Sequence, residues 1–134
     1  MNTGLRLSEL CSLSSDNIID GFVYVLNKSN FKCKNDKERK VPLNDSAYSC
    51  LETILNHKLT PKYISKSFKR AVRSCKLNED YTFHTLRKTF ATNLVRAGIS
   101  IFELKYVMGH SNIKTTEIYF ENDLNEVKRL IQGI

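Results

Sequence analysis

Five side chains in this sequence are of types that handle phosphate chemistry, and each sits where a structural element starts or ends. His84 and Arg87 are three residues apart. On a helix that spacing projects an imidazole and a guanidinium from one face of the first turn, where unpaired amides and the helix dipole also favour an anion. Gly109-His110-Ser111 reads as a tight turn between helices, and Tyr119 follows nine residues after His110. Arg6 lies near another helix start, with Glu9 three positions on. Taken singly, each has a plain explanation: His84 as a hydrogen-bonded, partly buried histidine, Tyr119 as packing, Arg6 as the partner of Glu9. Their combination and spacing point to phosphate binding and proton transfer.

The elements that must position these groups follow from the apolar pattern. Leu7, Leu10 and Cys11 recur at helical spacing and predict a helix over Ser8 to Leu13. Ile18-Ile19 and Phe22 to Val25 read as strands joined by Asp20-Gly21, a dipeptide that tolerates the positive φ angles of a type I′ turn. A third strand is expected over Arg39 to Leu43, with Pro42 placing it at a sheet edge. Helices are predicted over Ala47 to Leu55, after Thr60-Pro61 (an N-cap followed by a proline at the first helical position), over Phe83 to Ala97 with Gly98 as its stop, from a Ser100 and Glu103 capping box through Tyr106 with Gly109 as its stop, around Asn112 to Phe120, and from Asp123 to Ile131. The helix after Pro61 is amphipathic, with Ile64, Phe68, Val72 and Cys75 on its apolar stripe. Strands followed by a run of helices make an α+β arrangement, mainly helical, in which a small three-stranded antiparallel sheet packs beside a helical bundle.

Composition agrees with a single globular unit. The 134 residues include 41% hydrophobic side chains and 21 Lys+Arg against 14 Asp+Glu, for a net charge of +7. There is enough apolar material for one core, no apolar run of the ~18 residues that a membrane span needs, and no signal-peptide pattern at the start. The reading is a cytoplasmic protein without membrane partners. The four cysteines show no C-x-x-C pair and suit reduced thiols rather than zinc or a disulfide scaffold. The positive charge is concentrated. Lys28 to Lys40 holds six basic residues and two acidic ones, and Lys58 to Lys76 holds seven basic residues and no acidic one, leaving the rest net acidic. One positive face toward a polyanion is the implication.

Four boxes now resemble those of the tyrosine recombinase (phage-type integrase) catalytic domain, in the right order and across almost the whole chain. Thr3-Gly4-Leu5-Arg6-Leu7-Ser8-Glu9-Leu10 is similar to the T-G-L-R-x-S-E-L setting of the family's first arginine. Cys33 to Leu43 resembles the G-K-G-x-K-E-R-x-V-P-L loop and strand, which puts the family's catalytic lysine on Lys34, with Lys32 as a rival. Cys33 and Asn35 stand where glycines usually flank that lysine, which implies a less mobile loop. His84-Thr85-Leu86-Arg87-Lys88-Thr89-Phe90-Ala91-Thr92 matches H-x-L-R-[HK]-T-F-A-T, and Met108 to Tyr119 resembles L-G-H-S-x-x-x-T-T-x-x-Y.

The resemblance implies cleavage of a DNA strand by Tyr119, giving a 3′-phosphotyrosine that is religated to a new partner, and it implies no cofactor and no metal. Arg6 and Arg87 would clamp the phosphate with paired hydrogen bonds, His110 would add a donor, His84 would take the phenol proton and Lys34 would protonate the leaving oxygen. Double-stranded DNA is the expected partner. Lys32, Lys37 and Arg39 of the loop and Lys66, Lys69, Arg70 and Arg73 of the basic helix are candidate contacts with it. The last helix, with Leu124, Val127, Leu130 and Ile131 on one stripe, would dock on a neighbouring protomer in a tetramer on DNA or fold back on its own body. The first box begins two residues after Met1, so the chain reads as a C-terminal fragment, of a prokaryotic, phage or mobile-element protein, lacking an N-terminal DNA-clamping domain. A type IB topoisomerase and a non-catalytic DNA-binding module are the alternatives.

Overall fold

The computed structural model describes residues 2–120 and 124–133, with side chains of the second stretch from Val127 onward. Its elements run α1 (Leu7–Ser12), β1 (Ile18–Ile19), β2 (Phe22–Val25), β3 (Arg39–Pro42), α2 (Asp45–Leu55), α3 (Pro61–Ser74), α4 (Phe83–Arg96), α5 (Ile101–Met108), α6 (Lys114–Glu117) and α7 (Leu124–Gln132). Two single 3₁₀ turns, Ser15–Asn17 and Lys34–Asp36, interrupt the loops. The expected α+β arrangement, mainly helical with a small antiparallel sheet, is what the chain adopts.

The sheet has the order β1-β2-β3 and is antiparallel throughout. Asp20 (φ 50°) and Gly21 (φ 77°) both take the left-handed region at the first turn, as a type I′ hairpin requires. Register sets Val23 opposite Val41 and Val25 opposite Arg39. The period of two therefore sends Val23, Val25 and Val41 to one buried face, where they meet Leu5 and Cys33 with Leu10, Leu13, Phe31, Leu43 and Val107 around them. β3 pairs on one side only, which accommodates Pro42 at the edge.

A second core joins α4 to the C-terminal helices. Ala91, Leu104 and Met108 are fully buried, with Phe90, Leu94, Val95, Ile99, Tyr119 and Phe120 packed against them. The helix signals act as expected: Thr60 Oγ1 accepts from the Tyr63 amide at 3.2 Å, Ser100 and Glu103 form a reciprocal capping box, and Gly98 and Gly109 take φ 90° and 62° after α4 and α5.

Several elements differ from expectation. α5 continues to Met108, because the left-handed Gly109 ends it. α6 is a single turn, and residues 118–120 are a turn beyond it. α3 stops at Ser74 and Lys76 is left-handed (φ 53°), so Cys75 falls off the apolar stripe and is exposed. In the last helix Val127, Leu130 and Ile131 are all more than 45% exposed, while Asp123 and the side chain of Leu124 lie outside the described residues. Among the described residues no helix is long and apolar enough to cross a membrane.

Candidate active site

Arg6 stands at the N-cap of α1, half-buried, and its position is set by Glu9 one turn on. The Arg6 amide donates to Glu9 Oε2 at 2.7 Å and Arg6 Nη1 to Glu9 Oε1 at 2.9 Å. Its second guanidinium nitrogen crosses the molecule, Nη2 donating to the Gly109 carbonyl at 3.1 Å. Arg87, on the first turn of α4, is 3% exposed. Its two terminal nitrogens donate to the Gly4 and Met108 carbonyls. Both arginines of the boxes thus tie the start of the chain to the turn that carries His110.

Two glycines make this closeness feasible. At Gly4 (φ 60°) an added Cβ would lie 2.3 Å from the Phe90 ring, and at Gly109 it would lie 2.8 Å from Arg39 Nη1. Both positions combine a left-handed backbone with direct contact, so only glycine fits.

Arg39 requires a correction. The lysine-rich stretch suggested a DNA contact, but Arg39 is 4% exposed. It grips Glu9 through two bonds, Nη1 to Oε1 at 2.9 Å and Nη2 to Oε2 at 2.8 Å, and its Nε donates to the Val107 carbonyl at 2.7 Å. Its guanidinium is spent inside the protein. Glu9 consequently accepts four hydrogen bonds with 1% of its surface exposed. Burial would push its carboxyl up, but Arg39 and then Arg6 more than offset that and hold it at about 2. A carboxylate so placed keeps two guanidiniums apart and oriented.

Lys34 opens the 3₁₀ turn between β2 and β3 and is exposed. Asn35 takes φ 60°, the left-handed conformation for which asparagine is among the best non-glycine residues, which explains how it replaces a glycine there. Its side chain donates to Ser111 Oγ at 2.9 Å, and Cys33 on the other side is buried in the sheet core. The loop is thus pinned on both flanks of the lysine. Lys32 and Lys37 are exposed.

Arg6, Lys34, His84 and Arg87 line one open cleft of about 550 Å³, walled by Leu5, Leu7, Pro61 and Phe83. Lys34 therefore joins the group and Lys32 does not. His110, 9% exposed, lies in an adjoining groove with Gly109, Lys105 and Tyr106. Its Nδ1 is 2.9 Å from Thr116 Oγ1. Tyr119 is half-buried against the Ala91, Leu104 and Met108 cluster and is not among the residues of the cleft.

The electrostatics follow from this crowding of cations. Burial first, then Arg87, Arg6, Arg39 and His84, pushes His110 down to about 4. His84 sits exposed at the rim, yet partial desolvation and then Arg87, Lys88 and Arg6 lower it too, so both imidazoles are neutral at pH 7. Arg87 is lowered to about 10, by burial and then by Arg6, with Glu9 opposing, and stays charged at neutral pH. Burial raises the Tyr119 phenol, and Arg87 only partly counters it. In this arrangement the phenol keeps its proton at neutral pH, even with Arg87 nearby.

Of the basic-helix candidates, Lys66 and Arg70 are exposed on α3. Lys69 Nζ donates to the Glu79 carbonyl, and Arg73 Nε pairs with the Glu79 carboxylate at 3.0 Å. Among the described residues no three His, Cys, Asp or Glu side chains gather as a metal site. Sequence reasoning passes over Thr116, although it lies in the T-T pair of the last box, and takes Glu9 only as a partner of Arg6.

The sequence profile of the phage integrase family matches residues 1–126. The tyrosine recombinase XerD of Staphylococcus haemolyticus (strain JCSC1435) is 30% identical in an alignment covering 96% of this chain and 49% of that protein. XerD of Lacticaseibacillus casei is 32% identical, covering 87% of this chain and 46% of its own length. This chain spans about half the length of those relatives. Among solved structures, the Tn1549 transposon integrase in complex with a circular intermediate DNA superposes with a TM-score of 0.83 at 23% identity, over 99% of this chain and 55% of that one. The catalytic domain of bacteriophage HP1 integrase gives 0.72 at 26% identity, over 98% of this chain and 75% of that one.

Proposed function

Because the chain belongs to the phage integrase family, we propose that it carries the catalytic centre of a site-specific tyrosine recombinase that cleaves and rejoins DNA through a covalent phosphotyrosine. The observation that carries this reading is the cleft in which Arg6, Lys34 and the α4 pair His84 and Arg87 meet although they come from three separate segments of the chain. A phosphodiester seated there would find two permanent guanidinium charges for its non-bridging oxygens. Removing either donor from such a clamp costs ~10²–10³ in rate.

The Tyr119 oxygen attacks phosphorus, the P–O5′ bond breaks, the phenol proton passes to neutral His84 and Lys34 delivers a proton to the departing 5′-oxygen. Religation reverses each transfer. Tyr119 reaches the phosphate by leaving its packing against Ala91, Leu104 and Met108, and the short turn at 118–120 is the segment that swings. Lys66 and Arg70 of α3 and Lys32 and Lys37 of the loop contact the duplex backbone beside the scissile phosphate. In the longer protein, α7 seats Val127, Leu130 and Ile131 on a neighbouring copy within a tetramer on DNA, in the cytoplasm of a bacterial host. Removing residues 123–134 then leaves binding to DNA intact and weakens pairing of sites.

The test uses nicked suicide duplexes and a denaturing gel. A covalent protein–DNA adduct is expected with the native sequence and none with Tyr119→Phe. Failure of the folded, full-length protein to form an adduct on its own recombination site would overturn catalysis and leave a DNA-binding module.

A further inference from the structure

We propose that Thr116 is a positioning residue that fixes His110 in the tautomer carrying its proton on Nε2, leaving that nitrogen as the ring's free donor. The proposal rests on the reading of His110 as a donor to the scissile phosphate, but its physical basis is separate.

Thr116 has no exposed surface. Its Oγ1 lies 2.9 Å from His110 Nδ1, and among the described residues that nitrogen is its only partner. Three other helical threonines behave differently: Thr53, Thr89 and Thr92 each give their hydroxyl proton to the carbonyl four residues back. Among the described residues no carbonyl accepts from Thr116. A buried hydroxyl proton without an acceptor is costly, so Thr116 donates and Nδ1 accepts. An accepting Nδ1 carries no proton, and the single proton of a neutral imidazole then sits on Nε2.

Neutrality of the ring follows from what faces it. Burial opposes a positive charge there most, and Arg87 on α4, Arg6 before α1, Arg39 on β3 and His84 on α4 add to it in that order. The adjoining groove contributes Lys37 and Lys105 against the single acid Glu38. Protonation would also turn Nδ1 into a donor and strand the Thr116 hydroxyl. The contact therefore resists both the other tautomer and the imidazolium, and it holds the ring from α6 on one side while Gly109 is held by Arg6 on the other.

Long-range ¹H–¹⁵N correlation spectra of the uniformly ¹⁵N-labelled 134-residue chain at pH 7 read the tautomer directly, with His110→Gln assigning the signals. The expected spectrum shows a bare Nδ1 and a protonated Nε2. Thr116→Ser, which keeps the hydroxyl, retains it. Thr116→Val, close in shape without the hydroxyl, shifts both nitrogens toward the average of two tautomers. On suicide DNA, Thr116→Val loses about tenfold in adduct formation, less than the ~10²–10³ for deleting a transition-state donor, and Thr116→Ser recovers it. A protonated Nδ1 in the native chain, or an unchanged ring spectrum in a folded Thr116→Val, overturns the proposal. If Thr116→Val fails to fold, the native chain and Thr116→Ser still decide it. No spectrum involves DNA, so a correct tautomer with no adduct on the protein's own site would sink the catalytic reading and spare this one.

Discussion

Two regions of the molecule carry dense positive charge and use it in opposite ways. Around Glu9, the guanidiniums of Arg6, Arg39 and Arg87 are held by named carbonyls and one carboxylate. On α3, Lys66 and Arg70 stand in solvent, and Arg73 shares an exposed pair with Glu79. The first region is built for geometry, because the terminal nitrogens of all three guanidiniums are fixed by bonds inside the protein. The second is built for adjustable attraction, screened by salt and tolerant of small displacements. Identical residue types thus do unrelated work, and burial decides which.

The sharpest way to break the contrast is Glu9→Ala. It leaves Arg39 buried without its partner, and loss of one member of a buried pair costs about 3–5 kcal/mol. Urea denaturation should show that loss, and an unchanged midpoint would mean that the network is ornamental. Acid reaches the same network without mutation. The folded-state pKa of Glu9, about 2, lies below its ordinary 4.5, so the stability it contributes is complete above pH 4.5 and disappears as pH falls toward 2, on the order of 3 kcal/mol. His110, held at about 4 against an ordinary 6.5, adds an earlier step in the same direction between pH 6.5 and 4. Two descending steps are expected in a plot of stability against pH. The upper one should shrink in His110→Gln, leaving the part due to His84, and the lower one should vanish in Glu9→Gln.

Gly4→Ala is a smaller perturbation of the same region. It places a methyl group 2.3 Å from the movable Phe90 ring at φ 60°, and strain of this kind costs about 1–3 kcal/mol. Thermal unfolding measures it, and a loss below about 0.5 kcal/mol would show that Phe90 yields freely. The surface region should respond least. Lys66→Ala with Arg70→Ala changes stability by no more than about 0.5 kcal/mol. The same pair flattens the dependence of log affinity on log salt by roughly 0.9 for each phosphate that is no longer neutralised. Fluorescence anisotropy at several salt concentrations reads the slope. If the slope is unchanged, α3 does not face DNA.

The features legible in the sequence are those determined within a few residues. Asp20-Gly21, Thr60-Pro61, the Ser100 and Glu103 box and the left-handed Gly109 each act through neighbours in the chain, and each forms as its residues predict. The convergence of Arg6, Lys34, His84 and Arg87 is legible by resemblance, through the order of the boxes. Arg39 escapes such a reading because a run of lysines looks like a solvated face. Its burial depends on Glu9, 30 positions away and on a different element. Tyr119 escapes in a similar way: the boxes imply its proximity to arginine, but its packing against Leu104 and Met108 comes from α5 and outweighs the charge. Cys75 falls on the helical stripe by spacing, yet the helix ends one residue before it.

The bond from Arg6 to the Gly109 carbonyl joins positions 103 apart in the chain, and Arg87 reaches Gly4 across 83. Contacts of such span reward the chain only after large loops have closed. Until those loops close, nothing local in the chain holds the two guanidiniums side by side, so their pairing reports that the start of the chain has docked on the rest of the fold.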